Sequence, residues 1–305
     1  METSKNSLTS LLILPVIWGS YYVASQQWVG YTSVFTSGVG IRLVTLVLLT
    51  IIMLKRKEFP LLTHVHGVLP RLLLIGTLGF LLDFTAFIGL SLSSAASGTA
   101  LLKCDVLMVN VMSVFIYKQR FTLRAWVCTF VMLAGVFVVM GFDFASFSIT
   151  DPGNIFFLLS AFFVSCNAFV IKSVELDKVN PVCDDVVAYY NNFVTLIFFL
   201  ITSLVMGTLG QFGVVLTDPY AALALALAGL GQTLIYVVYY YNLRNYPVWL
   251  VKTFLLLMPV VATLITFILF GEVMVLSQYL GMAVVLAGAV GILLENRRQA
   301  APVNK

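Results

Sequence analysis

Ten apolar stretches follow one another along this chain, each close to the ~20 residues a helix needs to cross a bilayer. They run from about Leu8 to Trp28, Ser33 to Leu54, Pro70 to Ser91, Ser94 to Tyr117, Leu123 to Met140, Ile155 to Ile171, Val186 to Met206, Tyr220 to Tyr241, Val248 to Phe270 and Gln278 to Leu294. Hydrocarbon offers backbone N–H and C=O groups no partner, so long apolar runs must satisfy them internally, as helices. Hydrophobic residues make up 61% of the chain and charged residues 10%, against roughly 45–50% and 25% in a soluble domain. The pattern predicts an all-α integral membrane protein with ten transmembrane helices.

Charge gives the orientation. With the amino terminus on the cytoplasmic side, the inner segments hold Lys5; Lys55, Arg56, Lys57 and Arg71; Lys118, Arg120 and Arg124; Lys172 and Lys178; Arg244; and Arg297, Arg298 and Lys305. The outer loops hold no basic residue and carry Asp143, Asp151, Asp218 and Glu272. Basic residues collect in cytoplasmic loops, so both termini are expected to be cytoplasmic.

Five spans in each half is an odd number, so a duplicated unit must insert its second copy upside down. One shift of the chain lays Leu133-Ala134-Gly135 on Leu286-Ala287-Gly288, Gly76 on Gly229, Asp83 on Tyr236 and Thr99 on Lys252. It also lays the basic loop at Lys118-Gln119-Arg120 on the acidic Gly271-Glu272-Val273, as opposite sides of a membrane require. The expected division is a first repeat over 1–142, a linker over 143–154, a second, inverted repeat over 155–295 and a cytoplasmic tail over 296–305.

Arg42, Asp83, Lys103, Asp105 and Lys252 fall within the spans. An ionisable group at the bilayer centre costs about 2.5–3.5 kcal/mol on insertion scales and marks a substrate or ion pathway. At 100° per residue, Lys103 and Asp105 point about 200° apart, so at least one finds its partner on another helix. Three cations and two carboxylates leave one net positive charge, which favours an anionic group on a solute. Lys103 and Lys252 are the candidate carboxylate ligands, the bland alternative for Lys252 being snorkelling to the interface. Asp83 lies mid-span. It either pairs with Lys103 or Arg42, or carries a proton. Arg42, always charged, suits a fixed multi-donor contact.

Trp18, Tyr22, Tyr190, Tyr236 and Tyr240 could stack on a planar or cationic solute. Asn110, which shares a helix face with Lys103, joins Asn167 and Gln232 as candidate neutral partners, as do Asn191 and Asn192. Ala283, Ala287 and Gly291 form a small-residue stripe suited either to internal packing or to a dimer face. Cys104, Cys128, Cys166 and Cys183 show no metal or redox spacing, and the two histidines share one loop, so no metal, cofactor or nucleophile–histidine enzyme is expected. There is no phosphate-binding loop for ATP, no ring of repeated groups for a channel pore, and no reason to expect nucleic acid.

The residues then resemble the EamA family of the drug/metabolite transporter superfamily. Trp18-Gly19-Ser20 in the first span, Arg42 in the second, and Leu257-Met258-Pro259-Val260 ending in Phe270-Gly271-Glu272 in the ninth carry the likeness. So do Leu133-Ala134-Gly135-Val136 and Leu286-Ala287-Gly288-Ala289 near the ends of the halves. The chain departs from the pattern at Asp105-Val106, where such proteins often have proline, and at Tyr117-Lys118-Gln119-Arg120, which replaces a terminal Gly-Glu. The resemblance implies two inverted five-helix repeats around a central cavity, with the fifth and tenth spans peripheral. It also implies a bacterial inner (plasma) membrane and a secondary transporter that exports a small polar metabolite. The positive charge adds a carboxylate, as on an amino acid or derivative, with a nucleoside-like or S-adenosyl-amino-acid solute as the alternative. Protons are the candidate coupling ion, and the protein is expected as a monomer or homodimer.

Overall fold

The structure, a computed structural model, describes residues 7–92, 100–143, 148 and 150–300. Thr99, Lys5, Lys305 and part of the expected linker lie outside the described residues. The helices are α1 (Ser7–Val29), α2 (Val34–Arg56), α3 (Leu69–Leu92), α4 (Asp105–Tyr117), α5 (Leu123–Val139), α6 (Pro152–Glu175), α7 (Asp184–Val205), α8 (Pro219–Asn245), α9 (Val248–Phe254), α10 (Met258–Phe270) and α11 (Leu276–Ala300).

Their starts follow from the polar residues between the apolar runs. Ser33 accepts from Thr36 N, Thr122 from Ala125 N, and Asp151 and Asp218 from the amides just after the prolines that open α6 and α8. Each cap satisfies one of the donors left orphaned at a helix start, and proline at the first position sacrifices no hydrogen bond.

Eight helices among the described residues are long and apolar enough to cross a membrane, and α5 is a shorter apolar helix. This is an integral membrane protein, but the ten spans expected from sequence are not all established. α1 has the length but carries Ser20, Ser25, Gln26 and Gln27 and is not among the eight. α5 is only 17 residues long.

One shift of the chain brings α3, α4 and α5 onto α8, α10 and α11. The shift that lays Asp105–Tyr117 on Met258–Phe270 makes α4 and α10 equal in length, at 13 residues each. Both end in a left-handed residue, Lys118 (φ 51) and Gly271 (φ 67). Glycine takes that conformation freely, whereas lysine takes it against its Cβ. Ion pairs bring opposite ends of corresponding helices to one side of the bundle. Arg56 at the end of α2 meets Asp185 at the start of α7, and Arg71 at the start of α3 shares a face of the bundle with Arg244 at the end of α8, through their partners Asp177 and Asp184. We refer to this as the basic face. The opposite, acidic face joins α2 to the loop after α7, where Gln211 accepts from Ser33 N and Thr36 donates to the Thr208 carbonyl.

α5 and α11 pack on each other at the periphery. A Cβ on Gly135 would lie 2.9 Å from both Gly281 O and Val285 N, so glycine is what lets the two backbones touch. Of the anticipated small-residue stripe, Gly291 faces Cys128 of α5, whereas Ala283 and Ala287 are exposed.

Candidate functional site

A cavity of about 410 Å³ sits among α1, α2, α3, α4, α6, α7, α8, α9 and α10, within the roughly 300–1,000 Å³ of typical ligand pockets. Its walls extend toward the acidic face at Gln26, Ala86, Met140 and Thr266. Toward the basic face they stop at Ile171, Asn191, Tyr240 and Lys252. Beyond those residues the bundle is closed by an apolar core that includes Leu14, Ile75, Val109, Leu243 and Val248.

The helix that should carry Lys103 and Asp105 is broken there. Residues 100–102 are helical, Lys103 and Cys104 form a turn, and α4 starts at Asp105. The equivalent place in the second half is broken too, by a 3₁₀ turn at Leu255–Leu257 ahead of Pro259. Proline lacks the N–H that would continue the preceding turn. Broken helices at pseudo-equivalent positions of two repeats are where carriers place their binding sites.

All five intramembrane charges line this cavity, and four of them form two pairs. Arg42 lies 3.4 Å from Asp83 and donates to the Tyr236 hydroxyl at 2.6 Å. Its guanidinium also stands 5.9 Å from the Tyr236 ring centroid. The Lys252 ammonium donates to Asp105 at 3.0 Å and stands 5.7 Å from the Tyr239 ring centroid. Lys252 is buried, so it does not snorkel. Lys103 is different. Its contact is Met258 Sδ at 3.6 Å, and no carboxylate among the described residues lies within ion-pair distance of it. The net positive charge of the cavity is thus located at one side chain.

The neutral candidates divide. Trp18, Tyr22, Asn167, Gln232, Tyr236 and Tyr240 all line the cavity. Three of them are already engaged: Asn167 donates to the Ile75 carbonyl at 2.8 Å, the Tyr240 hydroxyl accepts from Asn191 at 2.7 Å, and the Tyr236 hydroxyl accepts from Arg42. Asn110 and Tyr190 do not line it. Asn110 is buried further along α4 toward the basic face, because α4 restarts at Asp105 and carries its buried stripe away from the cavity. Tyr190 donates to the Leu62 carbonyl and so ties the loop after α2 to α7.

Tyr21, Tyr239 and Met258 line the cavity and are not among the site residues expected from sequence. Tyr21 is one turn from Trp18, and Tyr239 is three residues after Tyr236, so helical spacing could have found both. Trp18 meets Tyr239 edge to face at 5.3 Å. Among the described residues there is no group of His, Cys, Asp or Glu side chains able to hold a metal ion.

Comparison with known proteins agrees with this architecture. The EamA-like transporter family matches the chain twice, over residues 6–141 and 151–294. Among 29 solved chains that match, one crystal structure of a protein superposes with a TM-score of 0.75 at 17% identity, covering 97% of this chain and 100% of its own. At that identity the likeness speaks for the fold. No curated protein matches the sequence.

Proposed function

Because this chain belongs to the EamA-like transporter family, whose members are membrane transporters of the drug/metabolite superfamily, we propose that it carries a small solute bearing a carboxylate, an amino acid or derivative, through the cavity between its two halves. The observation that supports this is the Lys103 ammonium, which faces the cavity without a carboxylate while Arg42 and Lys252 each have their own. A solute carboxylate would complete that charge balance. Gln232 lines the cavity with no hydrogen bond to protein among the described residues, and its amide is a second polar contact for the solute.

Binding is followed by rocking of the repeats, so that the site faces each side in turn, in the direction of export. Asp83 is the most open of the cavity carboxylates, 29% exposed at its side chain, and is the position we assign to a coupling proton. Arg42, Tyr236 and Tyr21 surround it electrostatically. Transport by Asp83→Asn should persist down a solute gradient but no longer respond to a pH gradient. Aromatic walls at Trp18, Tyr21 and Tyr236 support the second reading, a nucleoside-like or S-adenosyl-amino-acid solute.

The test is a thermal-shift screen of the purified protein with amino acids, di- and tricarboxylates, nucleosides and S-adenosyl compounds, run beside Lys103→Ala. A ligand that binds only the folded state raises apparent stability with its occupancy. A shift restricted to carboxylates and lost in the variant supports the reading. Shifts that survive in the variant would remove Lys103 from the site.

A further inference from the structure

The part of the bundle between the cavity and the basic face holds polar groups that the closed structure leaves without partners. Both side-chain polar atoms of Asn110 and the Ser113 hydroxyl are buried with no hydrogen bond among the described residues, as are the Gln119 carbonyl oxygen, both Glu175 carboxylate oxygens and the Tyr246 hydroxyl. Asn110 and Ser113 are at most 1% exposed. An unpartnered buried polar atom is rare in a native structure and needs a reason.

The repeat supplies one. The residues of α4 that are buried here are Asp105, Val106, Val109, Asn110 and Ser113. The shift that superposes α4 on α10 lays them, one for one, on Met258, Pro259, Ala262, Thr263 and Thr266, all of which line the cavity toward the acidic face. The same helix face therefore lines an open vestibule in one half and is sealed in the other. In an inverted pair, exchange of the two halves' conformations opens the opposite side.

We propose that Asn110 and Ser113 line a second vestibule, opening to the basic face, that forms when the present cavity closes. This rests on the reading of the chain as an alternating-access carrier. Thr263 and Thr266 meet water in this state, and Asn110 and Ser113 meet it in the other. Their missing hydrogen bonds are those that water and the passing solute supply. Asn110 acts here as a lining of the entry path on the far side of the Lys252–Asp105 pair and not as part of the present cavity.

The experiment is thiol labelling in a chain whose four native cysteines, all free, are replaced. Single cysteines go in at Asn110, Ser113, Thr263 and Thr266, with Val111→Cys, on the exposed side of the same helix at 46% exposure, as reference. A membrane-impermeant charged methanethiosulfonate is applied to one side of sealed vesicles at a time. Asn110→Cys and Ser113→Cys should react from the basic face, and Thr263→Cys and Thr266→Cys from the acidic face. In the double variant Ser113→Cys/Thr266→Cys, prior capping from the acidic face with a bulky maleimide props that side open. Labelling of position 113 should then fall about tenfold or more, as a population shift requires.

If positions 110 and 113 react no faster than position 111 while 263 and 266 do react, the second vestibule is wrong and the present cavity stands. If none reacts, the cavity is not an aqueous path and both readings fall. Ser113→Ala gives an independent measurement: loss of an unpartnered hydroxyl should raise the melting temperature of this state and slow transport. A lowered melting temperature would make Ser113 a structural residue and overturn its role.

Discussion

At the scale of single residues, the decisive fact is which charges are matched. Lys252 and Asp105 form a buried pair at 3.0 Å, and removal of one partner of such a pair strands the other at a cost of about 3–5 kcal/mol. Lys252→Met should therefore destabilise the protein strongly in thermal unfolding, while Lys252→Met combined with Asp105→Leu should recover most of the loss. Lys103→Ala strands no carboxylate, so it should leave the melting temperature close to that of the wild type and weaken solute binding instead. At the basic face, the Arg71 guanidinium bonded to Asp177 holds that carboxyl down at about 2, from an ordinary value near 3.8. A carboxyl depressed on folding stabilises the protein above its unfolded pKa and loses that contribution as pH falls through the folded one. Melting temperature followed from neutral pH down to about 2 should thus fall less steeply for Asp177→Asn than for the wild type over the lower part of that range. The five intramembrane charges could be read from the chain because they interrupt otherwise apolar runs. Their partners could not, since Arg42 and Asp83 are brought together from different helices, as are Asp105 and Lys252.

At the scale of elements, the informative features are the two helix breaks and the close packing of α5 on α11. The break at Leu255–Leu257 was legible in Pro259. The one at Lys103–Cys104 was not, because no proline or glycine marks it. As a result, a continuous helix placed Asn110 on the face of Lys103, whereas the turn lets α4 take its own face deeper into the bundle. The α5–α11 contact gives a clean contrast. Gly135→Ala would press a Cβ onto the backbone of Gly281 and Val285 and should cost about 1–3 kcal/mol by overpacking. Gly210→Ala meets nothing within 4 Å and should be close to neutral. Thermal or denaturant unfolding of the two variants side by side checks this.

At the scale of the whole molecule, the closed side is held by contacts that cross between the halves. Arg56 with Asp185 and Arg71 with Asp177 each join the first half to the second. On the proposed alternating-access reading, both pairs must let go for the basic face to open. Arg56→Gln should therefore shift the population toward the state open on that face. The readout is faster thiol labelling at position 113 with slower labelling at position 266, an opposite pair of changes that simple unfolding would not produce. By itself the sequence determined the membrane class, the twofold repeat and the residues too costly to bury without purpose. These depend on hydropathy, charge and register, which are properties of the chain taken in order. Only the tertiary structure decided that Lys103 is, among the described residues, the cavity cation without a carboxylate partner and that Asn110 is buried away from the cavity. Ion pairing and burial are set by distances between helices far apart in sequence, and those distances exist only once the two halves have packed.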